Sequence, residues 1–192
     1  MLKADKEIDD VPLRKFYNDC IHPEVMDTSL NMIWEHLAAG DVLDVFQFST
    51  GVGLAIAKKL KPKNPAEMTA ANAMMRLMSE KDKESQQDRY VRIQKNGLDV
   101  FEREMQVNGL NKEQRELMHK HCDKYWGCCA IQEQMMEILM DIAHFTLGEA
   151  NAARKVVAKK QMSKIPDLKK QVYDKLNDAN VATYIWETAV AP

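Results

Sequence analysis

Residues 131–160 read IQEQMMEILMDIAHFTLGEANAARKVVAKK, and this stretch decides the fold. Its first half, residues 131–145, strings glutamine, glutamate, methionine, leucine and isoleucine together without glycine or proline, which is the composition of a helix. Thr146 followed by Glu149 forms a T-x-x-E capping box: the hydroxyl accepts from the backbone three residues on while the glutamate reaches back. A second helix, GEANAARKVVAKKQ, is predicted to open there.

Working outward, the helical signals continue on both sides. Asn111 with Gln114 resembles a capping box for a helix upstream, and Tyr90, Ile93, Leu98 and Phe101 follow an amphipathic pattern. The chain from Pro166 onward reads as one or two further helices. Met68, Ala71, Met75 and Met78 recur at three- and four-residue steps, predicting a helix over 66–78. The charged run SEKDKESQQDR that follows has no apolar anchor and reads as an exposed helix or a loop. Nearer the start, Ser29 is placed to cap a helix LNMIWEHLAA that Gly40 stops. VLDVFQFSTGVG is β-branched and aromatic and is the best strand candidate, although it is short and isolated. LAIAKKL reads as a brief helix closed by KPKNP, whose two prolines forbid a regular helix.

Composition agrees with a mostly α fold, with at most a short strand or hairpin near residues 42–50. Glycine occurs 7 times and proline 6 times in 192 residues, and 45% of the residues are hydrophobic against 29% charged. The length suits one domain of ordinary size with a packed core. No apolar run approaches a membrane span, and the first ten residues, MLKADKEIDD, lack the apolar region of a secretory signal. A soluble protein in a cytoplasmic setting, with no membrane partner, is expected. The four cysteines, Cys20, Cys122, Cys128 and Cys129, are unevenly spaced and expected to be free thiols.

The formal net charge of −2 hides an uneven distribution. Residues 1–50 carry 4 basic and 10 acidic side chains, residues 51–150 carry 15 of each, and residues 151–192 carry 8 basic and 4 acidic ones. Within the basic tail, Arg154, Lys155, Lys159 and Lys160 are read as falling in the first turns of the helix opened by Thr146. Lys155 and Lys159 lie one turn apart on one face. Near a helix start such cations are suited to an anion, because the free backbone N–H groups add partial positive charge. A solvated lysine-rich face accounts for the same pattern.

Other chemistry finds weaker support. His119, His121, Cys122, Cys128 and Cys129 fall close together, but the histidines point to different helix faces and the last two cysteines are adjacent. Buried thiols beside Trp126 with surface histidines are expected instead, and no metal site is assigned. A cysteine nucleophile needs a low-pKa thiol that sequence does not reveal. GVG at 51–53 lacks the lysine and hydroxyl of a phosphate loop and reads as a turn. Asp9 and Asp10 read as a solvated end.

The same thirty residues resemble the fingers region of the α subunit of bacterial replicative DNA polymerase III, the family C polymerases. There a segment YQEQVM leads into a helix and then GxxxGxADxLRRAMGKK. Gln132, Glu133, Gln134 and Met136 occupy the QEQ-x-M positions, Gly148 and Ala150 the small ones, Arg154 and Lys155 the paired arginines, and Lys159 and Lys160 the final KK. Residues 40–62, GDVLDVFQFSTGVGLAIAKKLKP, resemble the family's GD-x-x-G-VFQ-F-ES-x-GM…L-x-P at the palm edge through Gly40, Asp41, Phe46, Gln47 and Pro62. Ala73 to Arg76 stand where the family has A-L-x-RPGP, and residues 90–97 resemble its FIxRKxG. The departures are RLMS in place of RPGP, Ser49, Asn151 for the aspartate of the AD pair, and Ala158 for glycine. They fit a divergent, phage-encoded homologue.

The resemblance implies a fragment of a replicative DNA polymerase, split into an N-terminal and palm-edge region over 1–62 and a helical fingers region over 63–192. It implies that Arg76, Arg154, Lys155, Lys159 and Lys160 meet the phosphates of the incoming dNTP and the template-primer DNA, with Gln47, Gln132 and Gln134 in support. The catalytic aspartates and their Mg2+ belong to the palm, so this chain is expected to hold no catalytic residue or metal, to be inactive alone and to partner the palm and thumb. An all-helical protein-interaction adaptor, its thirteen methionines lining a groove, is the alternative.

Overall fold

The computed structural model describes residues 31–75 and 84–190, together with Lys15 and Asp19. Among the described residues there is no strand, and ten α-helices carry the fold. They are α1 (Asn31–Ala39), α2 (Gly51–Leu60), α3 (Pro65–Met74), α4 (Gln86–Asn96), α5 (Asp99–Val107), α6 (Lys112–Cys122), α7 (Gln132–Asp141), α8 (Leu147–Ala158), α9 (Ile165–Leu176) and α10 (Ala179–Ile185). A wide π turn, Trp186–Val190, extends α10.

Local chemistry accounts for most of the boundaries. Gly40 ends α1 with φ 102°, donating its N–H to the His36 and Leu37 carbonyls, as the sequence predicts. Asn64 caps α3 and Pro65 occupies its first turn, so KPKNP is the tight connection between α2 and α3. The boxes at Asn111 and Thr146 both form. The Ser29 cap and the 76–78 end of the expected third helix fall outside the described residues. The end of the charged run, residues 86–89, begins a helix: Ser85 accepts from the Asp88 N–H and opens α4.

Two readings change. The strand candidate at 42–50 is a series of turns, in which Asp44 and Gln47 take left-handed backbone with φ 61° and 65°. Val42 and Phe48 turn inward, while Leu43 and Phe46 are exposed. A strand here has polar residues interrupting both faces and, among the described residues, no second strand to pair with, so propensity yields to packing. GVG at 51–53 is the first turn of α2, capped by Thr50 Oγ1, which accepts from the Gly53 N–H at 3.0 Å. Glycine is required at 53 because an added Cβ lies 2.3 Å from the Gln47 carbonyl oxygen and 2.5 Å from Phe48 Cα.

Two apolar cores meet inside the molecule. One gathers Leu37, Val42, Phe48, Ile56, Leu60 and Met74 with Tyr90 and the loop residues Tyr125, Cys128 and Ala130. The larger one gathers Ile93, Phe101, Met105, Met118, Ile138, Leu139, Val172 and Ile185 from α4 to α10. Met74, Met105, Met118 and Met135 are buried, so these methionines are core material rather than a surface groove. Trp126 packs against both cores from a left-handed position with φ 50°. Its indole N–H donates to Glu67 Oε1 at 3.0 Å. Glu67 is itself buried, and its Oε2 accepts from the Lys63 N–H at 2.9 Å.

Candidate functional site

Helix α8 carries most of the cations singled out in the sequence, and its capping box fixes where they fall. Thr146 Oγ1 accepts from the Glu149 N–H and Glu149 Oε2 accepts from the Thr146 N–H at 2.7 Å, so the helix starts at Leu147. Ala150 and Ala153 are buried, and these small residues let α8 lie close against α7. At about 1.5 Å per residue, Arg154 stands roughly 10 Å beyond the start.

The expected first-turn placement is therefore corrected. Arg154 and Lys155 lie in the last turns, Lys159 is the C-terminal cap and Lys160 follows with left-handed φ 48°. Cations there complement the partial negative charge of free carbonyls and receive nothing from α8's own N-terminus. Lys155 and Lys159 are exposed. They remain one turn apart on one face.

A helix start does lie beside Arg154, but it belongs to α7. Arg154 Nη1 donates to Gln132 Oε1 at 3.1 Å, and Gln132 is the first residue of α7. Ile131 offers no side-chain acceptor to that first turn. Arg154 Nε and Nη2 both donate to Asn151 Oδ1, at 3.2 and 3.0 Å. Of the residues named from sequence, Arg154 and Gln132 are thus brought together.

Gln134 is fully committed elsewhere. Its Oε1 accepts from the Ala130 and Ile131 N–H groups at 2.8 and 3.0 Å, and its Nε2 donates to the His121 and Cys128 carbonyls at 2.7 and 3.3 Å. With 3% exposure it fastens the 125–131 loop onto α6. Gln47 sits in the turn before α2, where its carbonyl accepts from Thr50 Oγ1 at 2.9 Å. Arg76 lies outside the described residues.

The cysteine and histidine cluster is built for packing. Cys122, Cys128 and Cys129 are buried free thiols, and Cys20 lies outside the described residues. Burial pushes the Cys128 thiol up to about 12 and raises Cys122 and Cys129 as well, the opposite of an activated nucleophile. The expectation of surface histidines is corrected. His121 is 7% exposed, with Nδ1 3.0 Å from Glu137 and Nε2 2.8 Å from Asp141, which clips α6 to α7. His119 is half-buried between Asp123, 2.7 Å from Nδ1, and Glu102, 3.1 Å from Nε2. Burial works against its charged form, but these two carboxylates overcome it and raise its pKa. Among the described residues no three metal-binding side chains converge on one point.

Sequence reasoning missed a second arginine centre. Arg89, 8% exposed, places Nη1 2.7 Å from Glu104 and donates from Nη2 to the Tyr184 hydroxyl at 3.0 Å. Arg92 donates to both Glu84 oxygens at 2.7 Å and lies 2.6 Å from Glu104. These groups line an open cavity of about 340 Å³, but carboxylates already neutralise both guanidiniums. The periodicity that places Tyr90 and Ile93 inward also turns Arg89 inward, and that is the signal available in the sequence.

Residues 11–180 match the family model described as the bacterial DNA polymerase III alpha subunit finger domain. The chain is 35% identical over 180 residues to the "Probable DNA polymerase YorL" of Bacillus subtilis (strain 168), and equally to the "DNA-directed DNA polymerase" of Bacillus phage SPbeta. In both cases 91% of this chain is covered. The "DNA polymerase III subunit alpha" of Campylobacter jejuni is 26% identical over 186 residues, covering 93% of the chain. The chain spans 14% of the length of each of these relatives. Among the described residues no helix is long and apolar enough to cross a membrane. Matched over most of its length, and more similar to the phage and Bacillus polymerases than to the Campylobacter subunit, the chain belongs to the bacterial DNA polymerase III alpha subunit finger domain family.

Proposed function

We propose that this chain is the surface of a family C polymerase that receives the triphosphate of an incoming dNTP and the backbone of the template-primer. One observation carries the reading: Arg154 donates to the side chain of Gln132, the first residue of α7, and the exposed Lys155 and Lys159 follow it along α8. Lys160 follows on the same chain end, and Arg76 joins the set from its match to the family segment. These cations offset charge building on the leaving pyrophosphate and fix the phosphates in place, which is electrostatic and positional catalysis. Mg2+, when bound on the palm, polarises the phosphate and activates the primer hydroxyl. The palm and thumb are the protein partners, and this chain alone transfers no nucleotide.

The test is a fluorescence anisotropy titration of labelled primer-template DNA, with dNTP competition, at increasing salt. Five phosphate contacts predict a log-log slope of roughly −4.5, so raising salt from about 50 to about 200 mM weakens binding roughly five-hundredfold. Arg154→Ala and Lys159→Ala each weaken it further at low salt. Absence of binding at low salt, or binding that salt leaves unchanged, refutes the proposal.

A further inference from the structure

Three of the five N–H donors of Arg154 are taken by neutral oxygens, two by Asn151 Oδ1 and one by Gln132 Oε1. Among the described residues no carboxylate pairs with it. The contrast within the same chain is direct: Arg89, Arg92 and Arg115 all lie within 2.6 to 2.8 Å of a glutamate. A guanidinium paired with a carboxylate is rigid but neutralised, and one free in solvent is charged but disordered. Arg154 is hydrogen-bonded through three N–H groups to neutral oxygens and keeps its charge. Its clamp comes from two helices, Asn151 from α8 itself and Gln132 from the start of α7, and leaves one N–H on each of Nη1 and Nη2.

We infer that Asn151 and Gln132 are positioning residues that hold Arg154 as a fixed, unneutralised fork for a phosphate group. The inference rests on the proposed function and adds how the receptor is built. An asparagine keeps the hydrogen bonds that an aspartate supplies, and drops the negative charge that competes with an incoming phosphate. Preorganisation favours binding because the arginine's rotamer freedom is already lost before the anion arrives.

The test titrates the chain with inorganic tripolyphosphate by calorimetry, across a salt series, in five variants. Arg154→Ala establishes that the anion is read at this arginine. Asn151→Asp, which preserves shape, is expected to weaken binding about fivefold and to lower the salt slope by about one, since one positive charge is cancelled. Asn151→Ala and Gln132→Ala are expected to weaken binding about threefold with the salt slope unchanged, since the charge stays and only its placement is lost. Arg154→Lys is expected to keep the slope and lose affinity, because an ammonium has no fork. A purely structural asparagine changes the melting temperature and not the slope. If Arg154→Ala weakens binding while Asn151→Asp matches the parent in affinity and slope, the clamp inference fails and the phosphate reading stands. If Arg154→Ala binds as the parent does, both fail.

Discussion

Replacing Gly127 by alanine tests how tightly the larger core is keyed to one backbone position. Gly127 has φ 70°, and an added Cβ lies 2.9 Å from Phe101 Cγ and 3.0 Å from both Ile93 Cδ1 and Phe101 Cδ2. Phe101 and Ile93 are fully buried, so neither has free space to retreat into. The left-handed backbone costs alanine about 1–2 kcal/mol, and overpacking adds about 1–3 kcal/mol. A loss of about 3–4 kcal/mol is expected, a large share of the roughly 5–15 kcal/mol that keeps a domain folded. In urea, with a slope of about 2 kcal/mol per molar, the midpoint falls by roughly 1.5–2 M. Gly109→Ala is the control: it shares a positive φ of 83°, but an added Cβ meets only Val181 Cγ2 at 3.8 Å. It keeps the backbone term and loses the packing term. Ile93→Val removes one of the clashing carbons, so it destabilises the Gly127→Ala protein less than the parent. A Gly127→Ala midpoint no lower than that of Gly109→Ala refutes the packing argument.

The remaining predictions concern other contacts. Gly53→Ala forces a Cβ against the backbone of residues 47 and 48, and is expected to destabilise by about 3 kcal/mol in the same denaturation, with faster amide exchange in the first turn of α2. Gln134→Ala removes the acceptor of the Ala130 and Ile131 N–H groups and the donor to two carbonyls and is expected to lower stability by roughly 3 kcal/mol, whereas Gln132→Ala, at an exposed position, changes it by less than about 0.5 kcal/mol. Hydrogen bonds from Arg92 hold Glu84 low and those from Lys59 hold Asp88 low, so their stabilisation is present above the ordinary carboxylate pKa near roughly 4 and lost as pH falls through the lowered values. His119 has the opposite sign: its contribution is complete below about 6.5 and lost as pH rises through its raised value, so melts across pH show a fall on the alkaline side that His119→Asn abolishes. In a Cys20→Ser background, a thiol reagent is expected to modify Cys122, Cys128 and Cys129 only after unfolding; rapid modification of the native protein contradicts their burial.

What was legible in the sequence is local. The boxes at Asn111 and Thr146, the stop at Gly40 and the turn at Pro65 each involve residues a few positions apart, and each formed as read. The turns at 42–50 were not legible, because whether Phe48 packs inward depends on α2 and α3 closing over it. The register of Arg154 shows the same division. The sequence places it eight positions after Thr146, which is enough to put it late in α8, yet its partner Gln132 is 22 residues away and emerges only when α7 and α8 pack. Arg89 was hidden for a related reason. A charge inside a charged run looks solvated until Glu104 and Tyr184, from α5 and α10, enclose it.

The seating of Trp126 in both cores bears on how the chain comes apart. Tyr90, Tyr125, Cys128 and Ala130 are distant in sequence from α1, α2 and α3, yet those helices supply their cover. Deleting α1 to α3 would strip one side of the indole and expose a tyrosine and a thiol that are solvent-free in the intact chain. Heating the whole chain should accordingly produce one melting event, with indole emission shifting in step with the loss of helical circular dichroism.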